Sequence, residues 1–273
     1  MELIAAGAPG LEPLLARELV GLGLRRPGFF LAEAGAGGRV AFEGDARALR
    51  RANLLLRTAE RVFVRLGRFP APDFAALRRG AAGLPWERFL APGRPVRVRA
   101  DSRRSKLYHE GAVAERLAEG IADRLGRPSP LARGAEAQGV LVRLEDDAAS
   151  IELDSSGEGL DRRGWRLASA KAPLKETLAA ALVLASGWDR RATLLDPFCG
   201  SGTIAIEAAL WAAGLPPARE RRYAFMDWPG FDAASWERER RDARGAPAAP
   251  FPRILASDRD EGAVAAARAN AAR

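Results

Sequence analysis

An α+β first half followed by an incomplete Rossmann-like α/β unit is the fold class that the 273 residues predict. Two observations carry it. Up to about residue 155, hairpin-like strand runs alternate with amphipathic helices, an α+β pattern. From about residue 170 the order becomes apolar strand, glycine loop and helix, the unit from which parallel sheets are built. Hydrophobic residues at 48% and charged residues at 29% exclude disorder and collagen. No apolar run reaches the ~18 residues of a membrane span, and no basic region precedes an apolar one at the start. A cytoplasmic protein is the default expectation.

Each element follows in order. Residues 2–7 read as a strand, and Leu11, Leu14, Leu15 and Leu19 as a helix with Pro13 in its first turn and Gly21 and Gly23 closing it. Phe29–Leu31 and Arg39–Phe42 predict a hairpin around Gly35–Gly38. Ala46–Leu66 reads as a helix that runs into strand-like Val62–Leu66, and Phe74–Arg79 as a short helix. Pro95–Ala100 alternates strictly, with Val96, Val98 and Ala100 on one face and Arg97 and Arg99 on the other. In Gly111–Leu125, Val113, Leu117, Ile121 and Leu125 recur every four residues, an amphipathic helix ended by Gly126. Val140–Leu144 and Ile151–Leu153 form a second hairpin turning at Asp146–Ala149, and residues 155–173 are a polar, glycine-rich connector. A helix at Leu174–Ser186 closes at Gly187. Strands at 193–196 and 253–257 each precede a helix, at Thr203–Ala213 and from Glu261 onward.

The charge points to a partner. Of 43 basic residues only Lys106, Lys171 and Lys175 are lysines, so the net +8 is carried by arginine, whose fork matches phosphate. A GC-rich genome accounts equally well for the total, so position matters more. Residues 94–106 hold Arg94, Arg97, Arg99, Arg103, Arg104 and Lys106 against the single acid Asp101, a patch suited to a polyanion. Cys199 and His109 are the only residues of their types, which excludes an internal disulfide and leaves little room for a His/Cys metal site or a Ser-His-Asp triad.

The strongest local signal is Leu195-Asp196-Pro197-Phe198-Cys199-Gly200-Ser201-Gly202-Thr203. An apolar strand delivers Asp196 to its carboxyl end, two glycines allow close backbone approach, and a helix N-terminus offers free N–H groups to an anion. The third glycine of a dinucleotide loop and the lysine of a Walker loop are both missing. Asp258, in Ser257-Asp258-Arg259-Asp260 after the second strand, is placed to accept hydrogen bonds from ribose hydroxyls, with a helix N-cap as its bland alternative. S-adenosylmethionine suits both halves, its carboxylate at the glycine loop and its ribose on Asp258. A nicotinamide cofactor is disfavoured, because 56 residues separate Gly202 from Asp258 where ~20 are expected.

Together these segments resemble the amino-terminal portion of the THUMP-domain class I S-adenosylmethionine-dependent RNA methyltransferases, most of all the bacterial large-subunit rRNA guanine-N2 enzymes. The resemblance rests on Gly10–Leu15, Ser105–Ala112, Leu153–Glu158, Arg162-Arg163-Gly164-Trp165, Ala172–Leu178, Asp196–Thr203, Ser257–Asp260 and Ala269-Asn270. It implies a ferredoxin-like module over 1–60, an RNA-binding THUMP domain over 61–158, and a connector with the first part of a Rossmann-like methyltransferase domain over 159–273. It implies methyl transfer to guanine N2 in 23S rRNA, with S-adenosylmethionine held by Asp196, Phe198, Gly200, Ser201, Gly202 and Asp258, and Asp260 near the adenosine. RNA is expected on Arg97, Arg99, Arg103, Arg104 and Lys106, with no membrane and no metal.

The sequence departs from that family at one point. The Asn/Asp-Pro-Pro-Tyr/Phe tetrapeptide that holds the target base is absent, and the only Pro-Pro is Pro216-Pro217 in a loop. No catalytic residue is therefore assigned. The chain reads as a fragment, inactive alone, with residues 190–273 poorly stable by themselves and Leu194, Ile254 and Leu255 near an open sheet edge. A non-catalytic RNA-binding fragment, a tRNA guanine-N2 enzyme and, less favoured, a DNA adenine enzyme are the rival readings.

Other candidates have plain explanations. Cys199 has no basic partner nearby in sequence and reads as a small buried residue, and His109 as a helix-start cap or packing residue. Trp211, Tyr223, Phe225, Trp228 and Trp236 read as the core of an insertion rather than base-stacking surfaces. The mixed-charge run Arg238–Arg244 reads as a solvated helix face. Arg162, Arg163 and Arg166 read equally as RNA contacts or as surface linker.

Overall fold

The computed structural model describes residues 1–24, 37–134, 136–167, 173–217 and 221–273. In chain order the elements begin β1 (Glu2–Gly7), α1 (Glu12–Gly21), β2 (Arg39–Glu43), α2 (Ala46–Leu55), β3 (Ala59–Pro70), α3 (Phe74–Ala82), β4 (Val96–Arg103) and α4 (Glu110–Leu125). They continue with β5 (Gln138–Glu145), β6 (Ala148–Asp154), α5 (Glu176–Ala185), β7 (Leu194–Asp196), α6 (Thr203–Ala212), α7 (Ala233–Asp242), β8 (Ile254–Ala256) and α8 (Glu261–Ala271). The Phe29–Leu31 arm of the first expected hairpin lies outside the described residues.

The chain forms two compact units. The first comprises Met1–Ile4, Val62–Glu158 and Arg222–Ala233, and the second Ala5–Arg61, Gly159–Arg221 and Ala234–Arg273.

In the first unit the strands run β3-β6-β5-β4. The β5–β6 hairpin turns on Asp146 and Asp147, both with positive φ (50° and 56°), the two-residue geometry that matches strand twist. β4 adds to β5 in parallel, from Val96 opposite Gln138 to Arg103 opposite Glu145. β3 runs on to Pro70, beyond the expected end at Leu66, because β6 continues to pair with it through Ala148. The expected stripe of α4 is buried at Val113, Leu117 and Ile121, and Gly126 ends the helix in the left-handed conformation. Gly120 admits α3: a Cβ there would stand 2.7 Å from the Arg78 carbonyl oxygen.

Residues 222–233 join this unit too. Trp228 donates Nε1–H to Gln138 Oε1 at 2.8 Å and meets Phe89 edge-on at 5.1 Å. Arg94 spans the Asp227 carbonyl and carboxylate, both at 2.8 Å. Tyr223, Phe225 and Trp228 are thus core residues, as the sequence suggests, but the core they complete is formed by β5 and the segment before β4. Arg94 of the basic patch is committed to an internal ion pair.

In the second unit α1 and α2 bury Leu15, Leu19, Leu49 and Leu54. The helix expected from Ala46 to run into a strand at Val62–Leu66 stops at Leu55, and the strand begins earlier, at Ala59. A tertiary acceptor explains the stop: Glu18 takes the N–H groups of Arg57 (2.9 Å) and Thr58 (3.0 Å), which leave the helical ladder and lead into β3. β7 and β8 pair in parallel, Leu194 opposite Ile254 and Asp196 opposite Ala256, as the strand–loop–helix pattern predicts. Their open face is more exposed at Leu195 and Leu255 than at Leu194 and Ile254.

A buried ionic cluster braces α6. Glu207 receives Arg163 Nε at 3.3 Å and lies 3.8 Å from Arg57 Nη1, while Arg163 also donates to the carbonyls of Leu160 and Arg57. Arg163, read from sequence as linker or RNA contact, is a core residue instead, because the connector folds back over α6.

Candidate cofactor loop

The glycine loop lies between β7 and α6 in the second unit. Asp196 ends β7 and is buried; its Oδ1 accepts the Phe198 N–H at 3.2 Å, and its Oδ2 is buried without a hydrogen-bond partner. The loop is sewn to the end of β8. Ser257 donates its N–H to the Asp196 carbonyl, and Cys199 donates to the Ser257 carbonyl, each at 2.9 Å. Gly200 and Gly202 adopt positive φ (52° and 83°), where a side chain is strained. A Cβ on Gly200 would meet open space, whereas one on Gly202 would stand 3.0 Å from Ala267 Cβ of α8. Gly202 is therefore also a packing requirement.

Asp258 Oδ2 accepts the Gly200 N–H at 2.9 Å, and its Oδ1 accepts the Asp260 N–H at 3.0 Å. Those backbone donors hold the Asp258 carboxyl below the usual carboxylate range. The capping alternative for Asp258 falls to its neighbour: Asp260 Oδ1 receives the N–H groups of Gly262 (2.8 Å) and Ala263 (3.1 Å) as the N-cap of α8. Ser201 is buried, its carbonyl taking Asn270 Nδ2–H at 3.0 Å. Phe198 stands 88% exposed at the loop tip.

Arg166, read from sequence as an RNA contact or surface linker, holds the loop instead. It donates to Ser201 Oγ (3.0 Å), Thr203 Oγ1 (3.1 Å), Glu176 Oε1 (2.8 Å) and the Leu174 carbonyl (2.9 Å), and stacks 5.2 Å from Trp165. It clamps the loop rather than facing RNA; nothing in its linear neighbourhood shows that residue 166 meets 201. Cys199 is buried, and burial with the nearby Asp196 and Asp258 charges pushes its thiol up, against a nucleophilic role. His109 precedes α4 without a side-chain cap and lies beside exposed Tyr108 at 4.8 Å.

The site can receive a ligand with both a cationic and an anionic end. The Asp196 Oδ2 has no partner, and α6 begins at Gly202 without a side-chain cap, which leaves its first N–H groups able to receive an anion. Each Asp258 oxygen retains acceptor capacity beyond its one backbone bond. These features fit an amino-acid cofactor carrying a ribose.

The basic stripe belongs to the first unit. Arg97, Arg99 and Arg103 share one face of β4, where Arg99 and Arg103 are exposed and Arg97 is half-buried, 3.3 Å from the Gly134 carbonyl. Arg104 has left-handed backbone (φ 49°) and pairs with Asp146 (2.8 Å) and Glu145 (2.9 Å); Lys106 Nζ lies 3.9 Å from Asp147. The β5–β6 turn thus brings three acids to a patch that shows only Asp101 in linear sequence. Among the described residues no His, Cys, Asp and Glu side chains cluster as a metal site, and no helix is long and apolar enough to cross a membrane.

The family described as RMKL-like methyltransferase domain matches residues 163–273, and the RlmL ferredoxin-like domain matches residues 2–63. The putative RNA methyltransferase YpsC of Bacillus subtilis is 37% identical over 98% of this chain and 70% of its own length. The chain belongs to the RMKL-like family of methyltransferases. Within that family, the ribosomal RNA large subunit methyltransferase K/L of Methylococcus capsulatus is 38% identical over 96% of this chain, which spans 36% of that relative. A solved structure, SMU.472, a putative methyltransferase complexed with SAH, superposes with a TM-score of 0.87 at 34% identity, covering 99% of this chain and 71% of its own. The fold is accordingly a ferredoxin-like start followed by a methyltransferase fold, and the family's cofactor is S-adenosylmethionine.

Proposed function

We propose that this chain supplies the RNA-binding part and the cofactor loop of an enzyme that methylates guanine N2 in large-subunit rRNA. In this reading 1–60 is the ferredoxin-like module, 61–158 a THUMP domain and 159–273 the connector and start of the catalytic domain. Support comes from the K/L relative and, above all, from one arrangement: Asp258 holding Gly200 beside the unpartnered Asp196 Oδ2.

When bound, S-adenosylmethionine supplies an electrophilic sulfonium methyl. The chain's residues bind and orient it. The α6 N-terminus behind Gly200 and Gly202 receives the carboxylate, Asp196 the ammonium, and Asp258 the ribose hydroxyls. Phe198 covers an apolar edge, and Arg166 positions the loop through Ser201 and Thr203. Asp260 acts indirectly, by starting α8 behind Gly202. Arg97, Arg99 and Arg103 receive RNA phosphates, with smaller shares from the paired Arg104 and Lys106. No acid or base is assigned to the transfer step; its acceleration is one of positioning.

The test is calorimetric titration of the chain with SAH, alongside transfer of labelled methyl from S-adenosylmethionine to 23S rRNA fragments followed by nucleoside analysis. SAH binding that Asp196→Ala abolishes supports the cofactor site, and label in N2-methylguanosine supports the full reading. Absence of SAH binding, with salt-dependent RNA binding retained, favours the non-catalytic RNA-binding reading. Label in tRNA alone moves the substrate to tRNA.

A further inference from the structure

The second unit contains a cavity of about 720 Å³ that shares no residue with the glycine loop. Leu14, Leu55 and Leu184 give it an apolar floor, and Trp188 and Trp211 an aromatic wall, with ring centroids 5.9 Å apart at 59°. Arg17 comes from α1, Arg51 from α2, Arg190 from the turn after α5 and Arg244 from beyond α7.

These arginines differ from others on the surface. Arg78, Arg104 and Arg124 are tied to carboxylates. Among the described residues no carboxylate lies within ion-pair distance of Arg17, Arg51, Arg190 or Arg244. The cavity's acids do not offset them. Glu18 is occupied by the N–H groups of Arg57 and Thr58, and Asp242 stands alone at the exposed end of α7.

Arg190 carries a second, independent sign. It is a non-glycine residue at φ 63°, and its turn is held by Asp189 Oδ1 accepting the N–H groups of Arg191 (2.8 Å) and Ala192 (2.9 Å). That turn places the guanidinium 5.3 Å from the centre of the Trp211 ring. Arg57 also lines the cavity but is 8% exposed and already engaged, its Nη1 3.8 Å from Glu207 and its Nη2 donating to the Leu215 carbonyl, so the four outer arginines carry the site. An apolar, aromatic recess with unpaired guanidinium groups from separate segments suits a flat base joined to a run of phosphates.

We infer that this cavity is a second RNA site that takes an unpaired nucleotide of a single strand, its base against Trp188 and Trp211 and its flanking phosphates on Arg17, Arg51, Arg190 and Arg244. The site is independent of the cofactor loop and shares with the proposed function only the class of partner.

The test is fluorescence anisotropy of the full chain with a labelled ten-nucleotide single-stranded RNA at several KCl concentrations. The double variant Arg51→Gln/Arg190→Gln is expected to bind at least about tenfold more weakly and to lower the log–log salt slope by about 1.4, from ~0.7 per phosphate contact. Trp211→Leu is expected to weaken binding about five- to a hundredfold through lost stacking, with the salt slope unchanged. SAH binding is expected to be unchanged in the arginine variants, which separates this result from failure of the cofactor reading. Wild-type affinity and slope in the double variant overturn the inference. So does equal affinity for blunt duplex RNA, or tighter binding of an acidic peptide than of RNA.

Discussion

Asp258 accepts the Gly200 N–H at 2.9 Å, so the residue that follows one parallel strand fixes the loop that follows the other. The sequence separation is wide, but the β7–β8 register makes the meeting inevitable: once Asp196 lies opposite Ala256, the two strand ends emerge side by side. Loop geometry and sheet pairing are therefore one structural event.

Removing that acceptor leaves the Gly200 N–H unpaired at the loop. Asp258→Ala is expected to lower SAH affinity by roughly tenfold or more, and Asp258→Asn by less, since its amide oxygen can still accept one bond. Isothermal titration of both variants checks the order; equal affinities in wild type and Asp258→Ala would falsify the assignment.

The same contact sets a pH response. Backbone donors from Asp260 and Gly200 depress the Asp258 pKa in the folded chain. Its contribution is therefore fully present above the unfolded value of about 3.9 and is lost as pH falls through the lower folded value. Exchange protection of the Gly200 amide is expected to stay level from neutral pH to about 5 and to fall only below about 4. Loss of protection near pH 6 would point to a different group.

The two loop glycines make separable demands. Gly200→Ala meets open space and costs only the left-handed conformation, ~1–2 kcal/mol. Gly202→Ala carries that cost and also crowds Ala267, so it is expected to be the more destabilising and to loosen α8. Urea midpoints of the two variants give the comparison.

Arg163 and Glu207 are both buried, and each is the other's charge partner. Glu207→Ala or Arg163→Ala is expected to destabilise the second unit by about 3–5 kcal/mol, because a buried charge is left uncompensated. The pair Arg163→Met/Glu207→Leu is expected to lose less than either single change. Denaturant unfolding of the three proteins measures this, and a mild effect in both single variants would contradict it.

On the basic stripe, Arg99 is exposed on β4 whereas Arg104 is already paired with Asp146 and Glu145. Arg99→Gln is expected to weaken RNA binding several-fold and to reduce the salt slope by about 0.7–0.9, and Arg104→Gln to change both less. Binding isotherms at several salt concentrations decide between them; the reverse order would move the RNA path to the β5–β6 turn.

Much of this architecture is legible in linear sequence where the signal is local. The four-residue spacing of Val113, Leu117 and Ile121 marks the buried side of α4, and Asp146-Asp147 between apolar runs marks a hairpin turn. Asp196, Gly200, Gly202 and Asp258 are recognisable for the same reason: strand ends, glycine loops and helix starts are properties of a few consecutive residues. The end of α2 is not local. Its stop depends on Glu18, 39 residues earlier in the chain, which receives the Arg57 N–H.

The sequence by itself determined the strand–glycine loop–helix order around Gly200 and the run of basic residues along β4, and its resemblance to a known family gave the ferredoxin-like start. Tertiary structure alone decided what the charged and aromatic side chains do. It made Arg163 a core ion pair and Arg166 a loop clamp, sent Trp228 to Gln138, and gathered Arg17, Arg51, Arg190 and Arg244 around one cavity. The physical reason is range. Backbone periodicity and turn preference are written within a turn or two of chain, whereas a guanidinium or an indole takes its role from whichever acceptor or ring packing brings within a few ångströms.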